Sequence, residues 1–422
     1  MGQVLSPTSF SLQVPMREPV LGRRGWVALA LIVAAVCIYV PVAALVLPPD
    51  SALALSAYSL TLIGKILCYA LAALGLGLAW GYCGILSLGH GLFFALGGYA
   101  FGMYLMREIG RDGVYGSDLP DFMVFLDWKS MPWFWHGTEH FWWAALLVVL
   151  VPGLVALVFG FFAFRSRIKG VYLSIVTQAL TFAAMQLFLR NETGFGGSNG
   201  FTNFKRVLGF DITSPVMRVE LFLASFLALV GGYLLCRWVV TSKLGLVVEA
   251  VRDAESRVMF CGYDTLPFKL FVWVLSAVLC GVAGALYVPQ VGIINPNEMA
   301  PIKSIEMAVW VAVGGRGTLI GPMVGAVLVN GANTIFTTHW PDYWLFFLGA
   351  LFVAATLWLP QGIMGLVRMG LARNHAGQGV SVSVTSPVTA AGTGTAPTGD
   401  SARTAAAGTG AAGATSAKGE TA

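Results

Sequence analysis

Apolar residues fall in long blocks separated by short polar stretches, and block length carries the first inference. Residues 26–47 run 22 positions without a charge. At about 1.5 Å per helical residue that is enough to cross about 30 Å of hydrocarbon. The block is too long for the core of a cleaved leader, so it is read as a retained first span. Further apolar blocks occupy residues 53–80, 92–106, 141–164, 171–189, 219–240 and 268–290. Shorter ones follow at 305–313, 323–336 and 343–359. The expected fold is all-α: a polytopic integral membrane protein of about 8–10 transmembrane helices with Gly-broken segments. Residues 1–25 form a polar N-terminal segment, and the transmembrane domain covers 26–367. Residues 376–422 hold no aromatic, Leu or Ile. They cannot bury enough surface to offset ordering entropy and are expected to be a disordered low-complexity tail.

Composition agrees. Hydrophobic residues make up 57% of the 422 positions and charged ones 11%, less than half the roughly 25% of a soluble domain. One large soluble globule is excluded. The net charge of +5 fits basic loops on one membrane face better than a nucleic-acid surface. The six cysteines, Cys37, Cys68, Cys83, Cys236, Cys261 and Cys280, form no C-x-x-C and are read as small core residues.

Basic residues set the orientation. The N-terminus, residues 165–169, 243–269 and 368–373 are the basic segments near span ends, which places them and both termini in the cytoplasm. Alternation then puts the acidic, Trp-rich loop 107–140 and the Gly/Asn-rich loop 190–217 outside. Residues 305–336 must cross twice or dip in and return.

No Asp or Glu lies inside an apolar block; Glu220, Glu306 and Asp342 sit at edges. A buried carboxylate is the usual device for coupling transport to protons or sodium, so its absence argues against an ion-coupled carrier. No G-x-x-x-x-G-K-[ST] occurs either, so the chain does not hydrolyse ATP by that route. No metal site or cofactor is expected. His136 and His140 are four apart, but they precede a span beside Trp142 and Trp143 and read as interfacial polar residues.

Two segments carry candidate chemistry. Residues 81–91 (GYCGILSLGHG) are too glycine-dense for a stable helix. Non-helical backbone at membrane depth survives only inside protein or along a wet cavity. Gly84, Ser87, Gly89 and His90 are therefore candidates for a substrate path, with close helix packing as the competing reading. A path for a small neutral solute should offer neutral donors and acceptors rather than fixed charge. Residues 241–262 place Val247, Val251, Ala254 and Val258 on one helix face. Asp253 and Arg257 are spaced for an i,i+4 pair. The mixed signs of Glu249, Arg252, Asp253, Glu255 and Arg257 suit docking to a soluble protein, whereas a helix lying on lipid would favour excess Lys and Arg.

GYCGILSLGHGLFFALGGYA resembles the G-x-x-G-x-x-S-L-G-H-x-x-F signature of permeases of the branched-chain amino-acid ABC importer family, LivM type. EAVRDAESRVMFCGY with KLFVWVLSAVLCGVAGALY, and GGRGTLIGPMVGA, resemble its coupling segment, the following helix and its late Gly-rich segment. Three further stretches are similar to the urea-importer branch, its C-type permease subunit: GVYGSDLPDFMVFLDWKSMPWFW, RNETGFGGSNGFTNF and LYVPQVGIINPNEMAP. The resemblance covers residues 59–366. It implies a transport subunit, not an enzyme, in a bacterial inner membrane and in contact with its lipid. It also implies a homologous second permease, two cytoplasmic ATP-binding subunits and a periplasmic substrate-binding protein. The implied solute is urea; branched-chain amino acids or short-chain amides are the alternative, and a passive channel the rival from another class.

Overall fold

The computed structural model describes residues 21–48, 51, 53–358 and 362–366. The predicted N-terminal segment falls mostly, and the low-complexity tail wholly, outside the described residues. The chain is helical, as its block pattern requires. The helices are α1 Arg23–Leu45, α2 Ala57–Gly77, α3 His90–Ile109, the short α4 Asp121–Phe125, α5 Phe141–Arg165 and α6 Val171–Phe188. They continue with α7 Pro215–Thr241, α8 Lys243–Phe260, α9 Leu266–Val291, α10 Pro301–Gly314, α11 Ile320–His339 and α12 Trp344–Trp358.

Local chemistry fixes several boundaries. Ser56, Ser214 and Ser242 each accept a hydrogen bond from a backbone N–H three residues on, capping α2, α7 and α8. A π-turn, Leu78–Tyr82, extends α2. Gly292 ends α9 at φ +80°, a left-handed conformation that glycine adopts without strain.

Seven described helices are long and apolar enough to cross a membrane: α1, α2 with its π-turn, α5, α6, α7, α9 and α11. The expected range of 8–10 is entered if one of α3, α10 and α12 counts as well, and its upper end is reached if all three do. α10 has 14 residues, about 20 Å of helix, which is short for a 30 Å core.

Burial separates inner from outer helices. The most apolar windows of α2 and α9 are 78% and 67% buried, against 11% for α1 and 22% for α5. α9 is the central pillar and packs against α2, α3 and α5. Its Trp273 is buried, stacks edge-on to His90 and Phe93, and donates Nε1–H to Ala156 O at 2.9 Å. α5 instead exposes Leu146, Leu150, Leu154 and Phe162, a surface suited to lipid. Cys68, Cys83, Cys236 and Cys280 are buried as expected; Cys37 is half-buried and Cys261 exposed.

The loops at residues 107–140 and 190–217 gather at one end of the bundle. There β1 (Phe201–Thr202) pairs with β4 (Ile293–Ile294), and β2 (Arg206–Val207) with β3 (Phe210–Asp211). Arg206 pairs with Asp112 at 2.9 Å. The tryptophans do not all form a belt. Trp133 and Trp142 are exposed, whereas Trp135 is buried and ties the two loops together by donating Nε1–H to Gly194 O.

Candidate functional site

The glycine-rich stretch breaks the helix where the sequence demands it. After the π-turn, Gly84 takes φ +73°, and residues 84–89 are non-helical until α3 begins at His90. The backbone groups freed by this break are bonded by hydroxyls. Leu86 O accepts from Ser174 Oγ at 2.8 Å, Leu88 N–H donates to Thr177 Oγ1 at 3.1 Å, and Gly91 N–H donates to Ser304 Oγ at 3.0 Å. Ser87 is fully buried, and its Oγ accepts Gly89 N–H at 3.1 Å. Gly89 sits so close to α6 that a Cβ would stand 2.7 Å from Thr177 O.

His90 is fully buried, with Nε2 2.7 Å from Ser276 Oγ. The single Ser276 hydroxyl proton goes to Gly75 O at 2.6 Å. His90 therefore donates through Nε2, and Nδ1 is a bare acceptor without a partner among the described residues. Gly84, Ser87, Gly89 and His90 thus lie on one segment clamped by α6, α9 and α10, with Gly84 exposed and the other three buried.

A second break faces the first. After Gly292 the chain folds back along α3. Ile294 packs beside Gly98 and Gly102, and Glu298 and Ser304 lie beside Gly91. From Gly98 to Gly91 is about 10 Å along a helix, so α10 starts well inside the bundle. Two interrupted helices meeting in this way are a recurrent arrangement at transport sites. Ser174, Thr177, Ser276 and Ser304 were not singled out in the sequence. A lone hydroxyl in an apolar block carries no periodic signal, although Asn295-Pro296 marks the second break as a turn.

At the opposite end from the paired loops, α8 lies across the π-turn. Its buried face is Gly245, Val248 and Val251, with Val247, Ala254 and Val258 half-buried, close to the expected stripe. The expected Asp253–Arg257 pair does not form. The helix kinks at Ala254 (φ −155°, ψ 72°), and Asp253 pairs with its neighbour Arg252 at 2.8 Å. The same Arg252 donates Nη1–H to Gly81 O at 2.8 Å, joining α8 to the π-turn. Glu255 turns inward, accepting from Lys169 at 2.7 Å, from Lys269 and from Thr265 Oγ1 at 3.0 Å. Burial pushes its carboxyl up, but the lysine and threonine hydrogen bonds outweigh it and hold the pKa below the ordinary glutamate value. Of the five charged residues singled out, Glu249, Asp253 and Arg257 remain on the outer side, beside the exposed Leu246, Met259 and Phe260.

Comparison with known proteins fits this architecture. The family described as branched-chain amino acid transport system permease component matches residues 58–356. The high-affinity branched-chain amino acid transport system permease protein LivM of Salmonella typhimurium is 26% identical over 322 residues, 71% of this chain and 68% of that protein. LivM of Escherichia coli is 26% identical over 336 residues, covering 74% and 71%. LivH of Salmonella typhimurium is 24% identical over 314 residues, covering 70% and 91%. No solved structure matches the chain. The span from 58 to 356 takes in both helix breaks and α8, and the chain belongs to the family of branched-chain amino acid transport permease components.

Proposed function

We propose that the chain is one permease subunit of an ATP-driven importer that carries urea across a bacterial inner membrane. The observation that carries the importer reading is α8, anchored through Arg252 to the π-turn while Glu249, Asp253, Arg257 and Phe260 face outward. A passive channel has no use for such a helix. In this reading the basic end is cytoplasmic, as are both termini, and α8 receives an ATP-binding subunit. A homologous permease completes the path, two ATPases drive it, and a periplasmic binding protein delivers solute at the opposite end. Gly84, Ser87, Gly89 and His90 belong to the segment whose movement opens the path. Their hydroxyl clamps are neutral hydrogen bonds, each worth about 0.5–1.5 kcal/mol, and can be exchanged at modest cost.

Urea is supported by the similarity of the 107–140 and 190–217 loops to the urea branch. Branched-chain amino acids are the second reading, favoured by the similarity to LivM and LivH, permease proteins of branched-chain amino acid transport systems. Uptake of radiolabelled urea and of radiolabelled leucine, in cells with and without this chain, separates them. Loss of urea uptake alone supports the first, loss of leucine uptake alone the second, and loss of neither refutes both solutes.

A further inference from the structure

Lys65 is the one charge in the apolar block 53–80. It lies eight residues into α2, about 12 Å along it. The second break brings three more charges to it: Lys65 is within electrostatic reach of Lys303, Glu298 and Glu306. Glu298 accepts from Tyr287 OH at 3.4 Å, Lys303 and Glu306 are 3.7 Å apart, and Lys65 Nζ stands 5.8 Å from the Tyr69 ring centre. Tyr69 and Tyr287 pack against each other, with ring centres 5.5 Å apart. Glu306, expected at a span edge, is instead mostly buried, because α10 starts inside the bundle.

Two of these charges make no direct ion pair. Among the described residues, neither Lys65 nor Glu298 has an ion-pair partner within 4 Å. Unpaired charge in an apolar span is costly and is kept where something else compensates it. The four charges sum to zero, so the cluster offers no net attraction to a simple ion. It does offer two ammonium donors and two carboxylate acceptors around one pair of tyrosine rings.

We propose that Lys65, Glu298, Lys303 and Glu306, framed by Tyr69 and Tyr287, form the solute-recognition site of this permease. It takes a compact solute of zero net charge that carries an oxygen acceptor at one end and N–H donors at the other. The ammoniums donate to the solute oxygen and the carboxylates accept its N–H groups. Urea presents a carbonyl and two NH2 groups, and an amino acid presents a carboxylate and an ammonium, so the chemistry is common to both. Charge-assisted hydrogen bonds, roughly twice as strong as neutral ones, replace the water the solute leaves. The fixed charge expected to be absent from such a path is present, but in balanced pairs. The inference rests on the permease reading and names where that permease meets its solute.

The test uses the complete importer in proteoliposomes with its binding protein, supplied with radiolabelled urea or radiolabelled leucine. Lys65→Met, Glu298→Gln and Glu306→Gln are compared with wild type and with Glu220→Gln, an exposed carboxyl on α7. The readout is solute moved per ATP hydrolysed, at fixed subunit composition. The expected result is at least a tenfold fall for the three site variants, no change for Glu220→Gln, and wild-type ATPase activity in all four. The solute that wild type moves identifies the source. An unchanged ratio in the three variants overturns the proposal. So does an ATPase rate that falls in step with uptake, which marks a packing or assembly role. A wild-type importer that moves neither solute overturns the functional reading together with this one, and is recognised because it fails before any variant is compared.

Discussion

Replacing Gly97 by Ala should destabilise the bundle, while the same replacement at Gly231 should stabilise it. Gly97 lies where α3 meets α9, and a Cβ there would stand 2.0 Å from Gly281 O. That is about 1.4 Å inside ordinary contact, which begins at 3.4 Å. The obstructing atom is backbone and cannot rotate away, so the two helices must separate. The complementary contact is as tight: a Cβ on Gly284 would lie 1.8 Å from Phe94 O. Overpacking of this kind costs about 1–3 kcal/mol. Gly231 lies within α7 and has nothing within 4 Å of its Cβ position. Both substitutions gain the same helix propensity, about 1 kcal/mol, so this term cancels between them. The difference between the two variants is then the overpacking cost alone, about 1–3 kcal/mol, or several degrees in melting temperature. Size-exclusion of detergent-solubilised chain after graded heating measures it. Equal melting of the two variants would refute the claim that α3 and α9 meet backbone to backbone.

Three further outcomes are expected. Arg252→Gln removes the charged donor to Gly81 O and should lower uptake while ATP-binding subunits still co-purify; Arg257→Glu, on the outer side, should instead reduce co-purification, and identical behaviour of the two would count against their separate roles. The Glu255 clamp stabilises α8 with a depressed folded-state pKa, so its contribution is present above the unfolded glutamate value and is lost as pH falls through the lower folded one; protease nicking of α8 should rise only below the ordinary carboxylate range, and Glu255→Gln should bring that nicking to neutral pH. An impermeant maleimide should label exposed Cys261 in inverted vesicles but not in spheroplasts, leaving Cys68, Cys83, Cys236 and Cys280 unmodified, and labelling in spheroplasts would invert the topology.

Much of the scaffold is legible in the sequence, because apolar block length and helix rise are local quantities. α5, α6, α8 and α9 fall within a few residues of the blocks that announce them, and the glycine-rich break at residues 81–91 is visible as composition. That the loops at residues 107–140 and 190–217 share one end follows from the two spans, α5 and α6, that separate them. What the sequence alone could not decide is which polar groups meet. Ser276 reaches His90 across 186 positions, Ser304 reaches Gly91 across 213, and neither pairing leaves a periodic trace. The kink at Ala254 cancels an i,i+4 pair for which Asp253 and Arg257 are spaced. Glu306 reads as an edge residue until the chain beyond Gly292 turns back along α3 and carries it, together with Glu298, toward Lys65. Position along the sequence fixes depth only while the helix continues. Once the backbone is interrupted, depth is set by packing, and packing belongs to the tertiary structure.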